Sequence, residues 1–120
     1  MTINPDQLSE EQKKKIVDLN NMRQNLEFII SQRLQDESEL RLTELAIEEL
    51  EKANPEETVY KAIGGILVKS DKNRLLDEKK SLKVSLEMRI KTLKQKEERL
   101  KTQIDTMTKS LQADLQKLNM

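Results

Sequence analysis

Val59-Tyr60-Lys61-Ala62-Ile63-Gly64-Gly65-Ile66-Leu67-Val68-Lys69-Ser70 holds both glycines and the single tyrosine of a 120-residue chain. Two runs rich in Ile, Val and Leu flank Gly64-Gly65. The pattern predicts a β-hairpin over about residues 58–70, closed by a two-residue loop. Such loops use positive φ, which glycine reaches without a Cβ clash. Pairing across the loop sets Ile63 opposite Ile66, Lys61 opposite Val68 and Val59 opposite Ser70. Side chains alternate between the faces of a strand. One face then carries Val59, Ile63, Ile66 and Val68, and the other Tyr60, Ala62 and Leu67. Both faces are largely apolar and both edges are open. Two strands alone are marginal in water, and an open apolar edge recruits another strand. A turn that only reversed the chain would have no use for this much Ile, Val and Leu. The expectation is an oligomerisation surface made of Val59, Tyr60, Ile63, Gly64, Gly65, Ile66, Leu67 and Val68.

On either side of the hairpin the pattern changes to that of long helices. Ser9-Glu10-Glu11-Gln12 fits a capping box, with Ser9 at the N-cap and Gln12 reaching back to it. No glycine or proline follows until Asn54-Pro55, where proline ends the hydrogen-bond ladder. The first helix is therefore expected over about residues 9–53, roughly 65 Å at 1.5 Å per residue. Ser70 or Asp71 can cap a second helix, expected over about residues 71–118. Heptads in the first helix put Leu19, Leu26, Arg33, Leu40 and Ile47 on one line, and Met22, Ile29, Asp36, Thr43 and Leu50 on the other. In the second helix the seam runs through Leu86, Ile90, Leu93, Glu97, Leu100, Ile104, Met107, Leu111, Asp114 and Leu118. Leu75 and Leu82 precede it, and the short step from Leu82 to Leu86 inserts a stutter.

Two helices of matched length joined by a tight reversal should fold back as an antiparallel coiled coil. In that register, residues whose numbers add to about 126 lie level. Charge agrees with this pairing. Residues 36–51 hold seven acidic side chains and one arginine, while Lys79, Lys80, Lys83 and Arg89 lie across from them. Arg33, Asp36 and Glu97 interrupt the seam, and two readings stay open: a register device, or a locally loose coil whose polar side chains reach out to water. The fold class is mostly α, one domain of a long antiparallel coiled coil with a central hairpin. Both chain ends should then meet at one end of a stalk, with the hairpin at the other.

Composition narrows the function. Charged residues make up 37% and aromatics 2%, too few large apolar groups for an ordinary globular core. The 22 basic and 22 acidic residues cancel, so no long-range attraction to nucleic acid or acidic membrane is indicated. Histidine and cysteine are both absent, which removes the commonest general acid-base group and all thiolate chemistry. No Gly-rich phosphate loop or metal-ligand cluster appears, so no catalytic, cofactor or metal residues are assigned. No apolar run approaches the ~20 residues of a membrane span, and no signal-peptide pattern opens the chain. A cytoplasmic, non-enzymatic protein without membrane association is expected. Lys91, Lys94, Lys96, Arg99 and Lys101 could form a nucleic-acid arm. However, Glu97 and Glu98 interrupt the run and no aromatic is interleaved for stacking. A solvated helix face is the better reading.

The residues around the hairpin also carry a resemblance. Leu45-Ala46-Ile47-Glu48-Glu49-Leu50, a Pro55-Glu56-Glu57-Thr58 linker, Val59-Tyr60-Lys61 and Gly64-Gly65-Ile66-Leu67-Val68 together resemble the prefoldin family, specifically its β-type subunit. The single hairpin distinguishes it from the α-type subunit, and the short tails resemble archaeal members. The resemblance implies a hetero-hexamer of two α-type and four β-type subunits, whose hairpins join intersubunit β-barrels. It also implies an ATP-independent holdase that captures unfolded polypeptides among the coil tips and delivers them to a group II chaperonin. The tip here offers Ile3, Leu8, Ile16 and Val17 from one chain end. Met107, Leu111, Leu115, Leu118 and Met120 come from the other. One seam cannot cover them all, and Met and Leu repack around many partners. These are the candidate client-binding residues. Two other readings stay open, a structural coiled-coil tether or dimeriser and the nucleic-acid-binding arm.

Overall fold

The computed structural model describes residues 5–118. In chain order it has a 3-10 turn, Pro5–Gln7, and helix α1, Glu10–Lys52. Strands β1, Val59–Ile63, and β2, Ile66–Ser70, follow, and then helix α2, Lys72–Leu118. Both helix starts are capped by side chains. Gln12 N–H donates to Ser9 Oγ at 3.0 Å, and Ser9 N–H donates to Gln12 Oε1 at 2.9 Å. This reciprocal pair satisfies two of the donors a helix N-terminus leaves over. At α2, Arg74 N–H donates to Asp71 Oδ1 at 2.9 Å, so Asp71 rather than Ser70 is the cap.

The end of α1 is closed by a group from beyond the hairpin. Lys72 Nζ donates to Ala53 O at 2.6 Å and lies 3.4 Å from Glu51 O. A cation there meets the negative end of the helix dipole as well as carbonyls without helical partners. Asn54-Pro55 then turns the chain, with Glu57 N–H donating to Asn54 O at 3.0 Å.

β1 and β2 pair antiparallel in the register Val59↔Ser70, Tyr60↔Lys69, Lys61↔Val68, Ala62↔Leu67 and Ile63↔Ile66. Within the loop, Gly64 alone has positive φ, at 60°. A positive φ at the first loop position only is the type II′ arrangement, which matches the twist of the strands.

The helices pack as two compact units. One joins residues up to Gln32 with those from Leu93 onward; the other is Arg33–Thr92 and includes the hairpin. In the first unit Leu19 and Leu111 are buried, and Lys15 Nζ meets Asp114 Oδ2 at 3.1 Å across the helices. In the second, Leu75, Leu86 and Ile90 are buried together with Thr43 and Asp36. Leu86 has no accessible surface, and burying a leucine completely is worth about 1.5–3 kcal/mol. The Thr43 hydroxyl is satisfied by its own helix, donating to Glu39 O at 2.8 Å. Arg89 reaches Asp36 with two guanidinium nitrogens, Nε to Oδ2 at 3.2 Å and Nη2 to Oδ1. Lys80 Nζ lies 3.7 Å from Glu51 Oε1. Lys15–Asp114 and Asp36–Arg89 fall within about one turn of the level positions expected from the heptads, and Glu51–Lys80 somewhat further along.

Every α1 residue assigned to the seam is buried or half-buried, and so is every α2 one except Leu118. Among the polar seam groups, Asp36 meets Arg89 of the facing helix, Arg33 lies 3.2 Å from Glu37, and Glu97 lies 3.8 Å from Lys101.

Candidate assembly hairpin and client-binding end

The hairpin presents apolar side chains to solvent on both faces. Ile63, Ile66 and Val68 on one face, and Tyr60 and Leu67 on the other, are between 41% and 71% exposed. Only Val59 and Ser70, where the strands leave the helices, are half-buried. The alternation of antiparallel pairs leaves every second residue with its backbone groups aimed outward. The pair that closes the two-residue loop is Ile63 with Ile66. Tyr60 and Ala62 therefore offer free N–H and C=O groups on one edge, and Leu67 and Lys69 on the other. Two apolar faces and two short unpaired edges are the features of a strand pair prepared for further strands.

One polar contact ties the hairpin to its helix. Lys61 Nζ donates to Glu78 Oε2 at 2.8 Å. That hydrogen bond holds the Glu78 carboxyl below its ordinary range; desolvation opposes the shift, and the charges of Lys61, Arg74 and Lys79 add to it. The contact was not legible in the sequence, since 17 residues separate its partners.

Of the candidate client-binding residues, all those within the described range lie in the first unit. Val17 is 57% exposed and Leu118 is also exposed, while Leu8, Ile16, Met107 and Leu115 are half-buried. Leu111 is buried in the seam and leaves little surface for a client. Leu111 and Leu118 share a heptad line, but the second stands at the last residue of α2. Ile3 and Met120 lie outside the described residues. A shallow groove of roughly 450 Å³ adjoins these residues, lined by Met22 and Met107 together with Lys15, Thr102, Thr106 and others.

Several exposed apolar side chains escaped the sequence reading. Phe28 in the first unit, and Leu34, Leu42, Leu45, Val84 and Met88 in the second, are all more than half exposed. Their heptad positions place them away from the seam, a signal that was available in the spacing. In the basic stretch of α2, Lys101 lies within 4.0 Å of both Glu97 and Glu98. The interrupting acids therefore engage part of the positive charge. Among the described residues no helix is long and apolar enough to cross a membrane.

Comparison with known proteins gives a consistent picture. A family model described as prefoldin subunit matches residues 13–118. The prefoldin β subunit of Archaeoglobus fulgidus is 42% identical over 97 residues, covering 81% of this chain and 84% of that protein. The prefoldin β subunit of Pyrococcus furiosus is 31% identical over 97 residues, covering 81% and 83%. Among solved structures, the crystal structure of the prefoldin β subunit from Thermococcus strain KS-1 matches with a TM-score of 0.77 at 25% identity. That match covers 89% of this chain and 94% of that one.

Proposed function

The chain belongs to the prefoldin family as a β-type chaperone subunit, and we propose that it joins a hexamer of two α-type and four β-type subunits through its hairpin. Prefoldin β subunits work in hetero-oligomeric complexes with other prefoldin subunits. In this reading the complex resides in the cytoplasm and binds unfolded polypeptides without ATP. It passes them to a group II chaperonin. The observation that carries the assembly role is the hairpin, apolar on both faces and open at both edges. Closing such strands into a barrel with those of other subunits removes the edges. Client capture is assigned to the unit that contains both ends of the chain. Val17 and Leu118 are the open apolar side chains among the candidates there, with Ile16, Leu115, Leu8 and Met107 half-buried.

The experiment is aggregation of a chemically unfolded protein in the presence of this chain mixed with an α-type subunit. The mixed complex should suppress aggregation, and neither subunit alone should match it. Removing residues 1–8 and 112–120 should leave the hexamer assembled, because the hairpin belongs to the other unit. The same truncation should sharply weaken suppression. Full activity in the shortened complex would move the client site elsewhere. A two- or four-chain rod that holds no client would instead identify a tether.

A further inference from the structure

Lys61 is the one charged residue on the hairpin face that carries Val59, Ile63, Ile66 and Val68. Its cross-strand partner is Val68, so the ammonium rises from within an apolar patch. A lone ammonium in that place would obstruct any subunit laid over the patch, because taking an unpaired charge out of water is costly. The chain supplies the answer from α2. Glu78 Oε2 accepts the Lys61 hydrogen bond at 2.8 Å, and Arg74 Nε lies 4.0 Å from Glu78 Oε1. The side chains of Lys61 and Glu78 remain 45% and 40% exposed. In the free chain, water screens the pair and it contributes little to folding.

We infer that Glu78 is a positioning residue for assembly: it neutralises Lys61 in advance and draws the hairpin toward the first turns of α2, so that a neighbouring subunit can cover this face with its charge already matched. The inference rests on the hairpin being the assembly surface, and it adds a residue from outside the hairpin to that surface. Covering the face removes water from the pair. Loss of Glu78 then strands an ammonium in an apolar contact, whereas an apolar residue at position 61 removes the need for Glu78.

The test is a double-mutant cycle on the full chain mixed with its α-type partner, with assembly read by sedimentation over a concentration series. Glu78→Gln should raise the midpoint concentration of assembly by at least about tenfold. Lys61→Met combined with Glu78→Gln should return it to within about threefold of the parent. Helix content of the uncomplexed chain should be the same in every variant, since an exposed pair contributes little. A Glu78→Gln chain that assembles like the parent overturns the inference, and so does a double variant as weak as Glu78→Gln alone. Ile66→Asp separates the two levels of the argument. If it leaves assembly intact, the hairpin is not the interface and the underlying reading falls. If it abolishes assembly while Glu78→Gln changes nothing, only the role of Glu78 falls.

Discussion

Asp36 is 4% exposed, and it is buried without being isolated because Arg89 brings two donors to it from the facing helix. The guanidinium itself stays largely in solvent, so the pair reaches into the seam from its margin. The hydrogen bond to Asp36, followed by the carboxylate charge, raises the Arg89 pKa further. Arg89 therefore stays charged at every accessible pH. Breaking the pair from one side leaves a buried carboxylate without its partner, whereas replacing both sides with apolar groups does not. Thermal melts of Arg89→Gln should show a lower Tm than the parent. Asp36→Leu with Arg89→Leu should melt at or above the parent Tm, and a double variant that melts below Arg89→Gln would refute this account. Glu78 adds a pH dependence of defined sign, since its pKa is lowered. A carboxylate with a depressed folded pKa contributes fully above its unfolded value, about 4.3. The contribution is lost as pH falls through the folded value. Lys61, Arg74 and Lys79 are the cations around it, with Asp77 beside it on α2. NMR titration should place the Glu78 midpoint below the ordinary glutamate value, and Lys61→Met should move it upward. An ordinary midpoint in the parent chain would remove the basis for the tie.

Within the hairpin, the two glycines are not equivalent. Gly64 has φ of 60°, and Gly65 has no positive φ. A Cβ built on either residue meets nothing within 4 Å, so any penalty is one of backbone conformation and not of contact. Gly64→Ala should therefore destabilise the loop by about 1–2 kcal/mol, the usual cost of the left-handed region for an L-residue. Gly65→Ala should be close to neutral and can gain a little from a stiffer unfolded chain. Comparing assembly midpoints for the two variants tests this: the Gly64 variant should assemble less well and the Gly65 variant like the parent. Equal losses would indicate a loop with positive φ at both positions. The long helices rest on different supports. Their starts are set by Ser9 and Asp71. The end of α1 depends on Lys72, which arrives only when the chain has reversed. α1 and the hairpin are thus completed together.

At the scale of the whole molecule, the proposed assembly hairpin and the proposed client contacts fall in different units. The unit with the hairpin also holds the Asp36–Arg89 contact, the Lys72 cap and the fully buried Leu86. The unit with both chain ends has Leu19 and Leu111 in its seam and leaves Val17 and Leu118 open. That division is what makes the paired truncation informative, because it removes candidate client contacts without touching the strands. Leu34, Leu42, Leu45, Val84 and Met88 show that apolar surface is not confined to the hairpin and the chain ends. They lie away from the seam, so substitutions there test the outer helix faces as a client surface if the truncated complex keeps its activity.

The sequence by itself determined the order of elements, the hairpin register and the line of the seam. Each depends on neighbours a few residues apart: Gly64-Gly65 between β-branched runs, Ser9 with Gln12, Asn54-Pro55, and leucines at heptad spacing. The family was legible for the same reason, since its signature lies in one continuous stretch around the hairpin. Tertiary structure alone decided which long side chains meet. Lys61 with Glu78 and Lys72 with the end of α1 depend on the angle between elements distant in sequence, while the heptad register had placed Arg89 across from the acidic stretch without choosing Asp36 as its partner. It also decided that Leu111 is buried while Leu118 is exposed, though both occupy the same heptad line. A heptad states which side of a helix faces its partner, but only the packed helices determine how far along the seam that partner covers it.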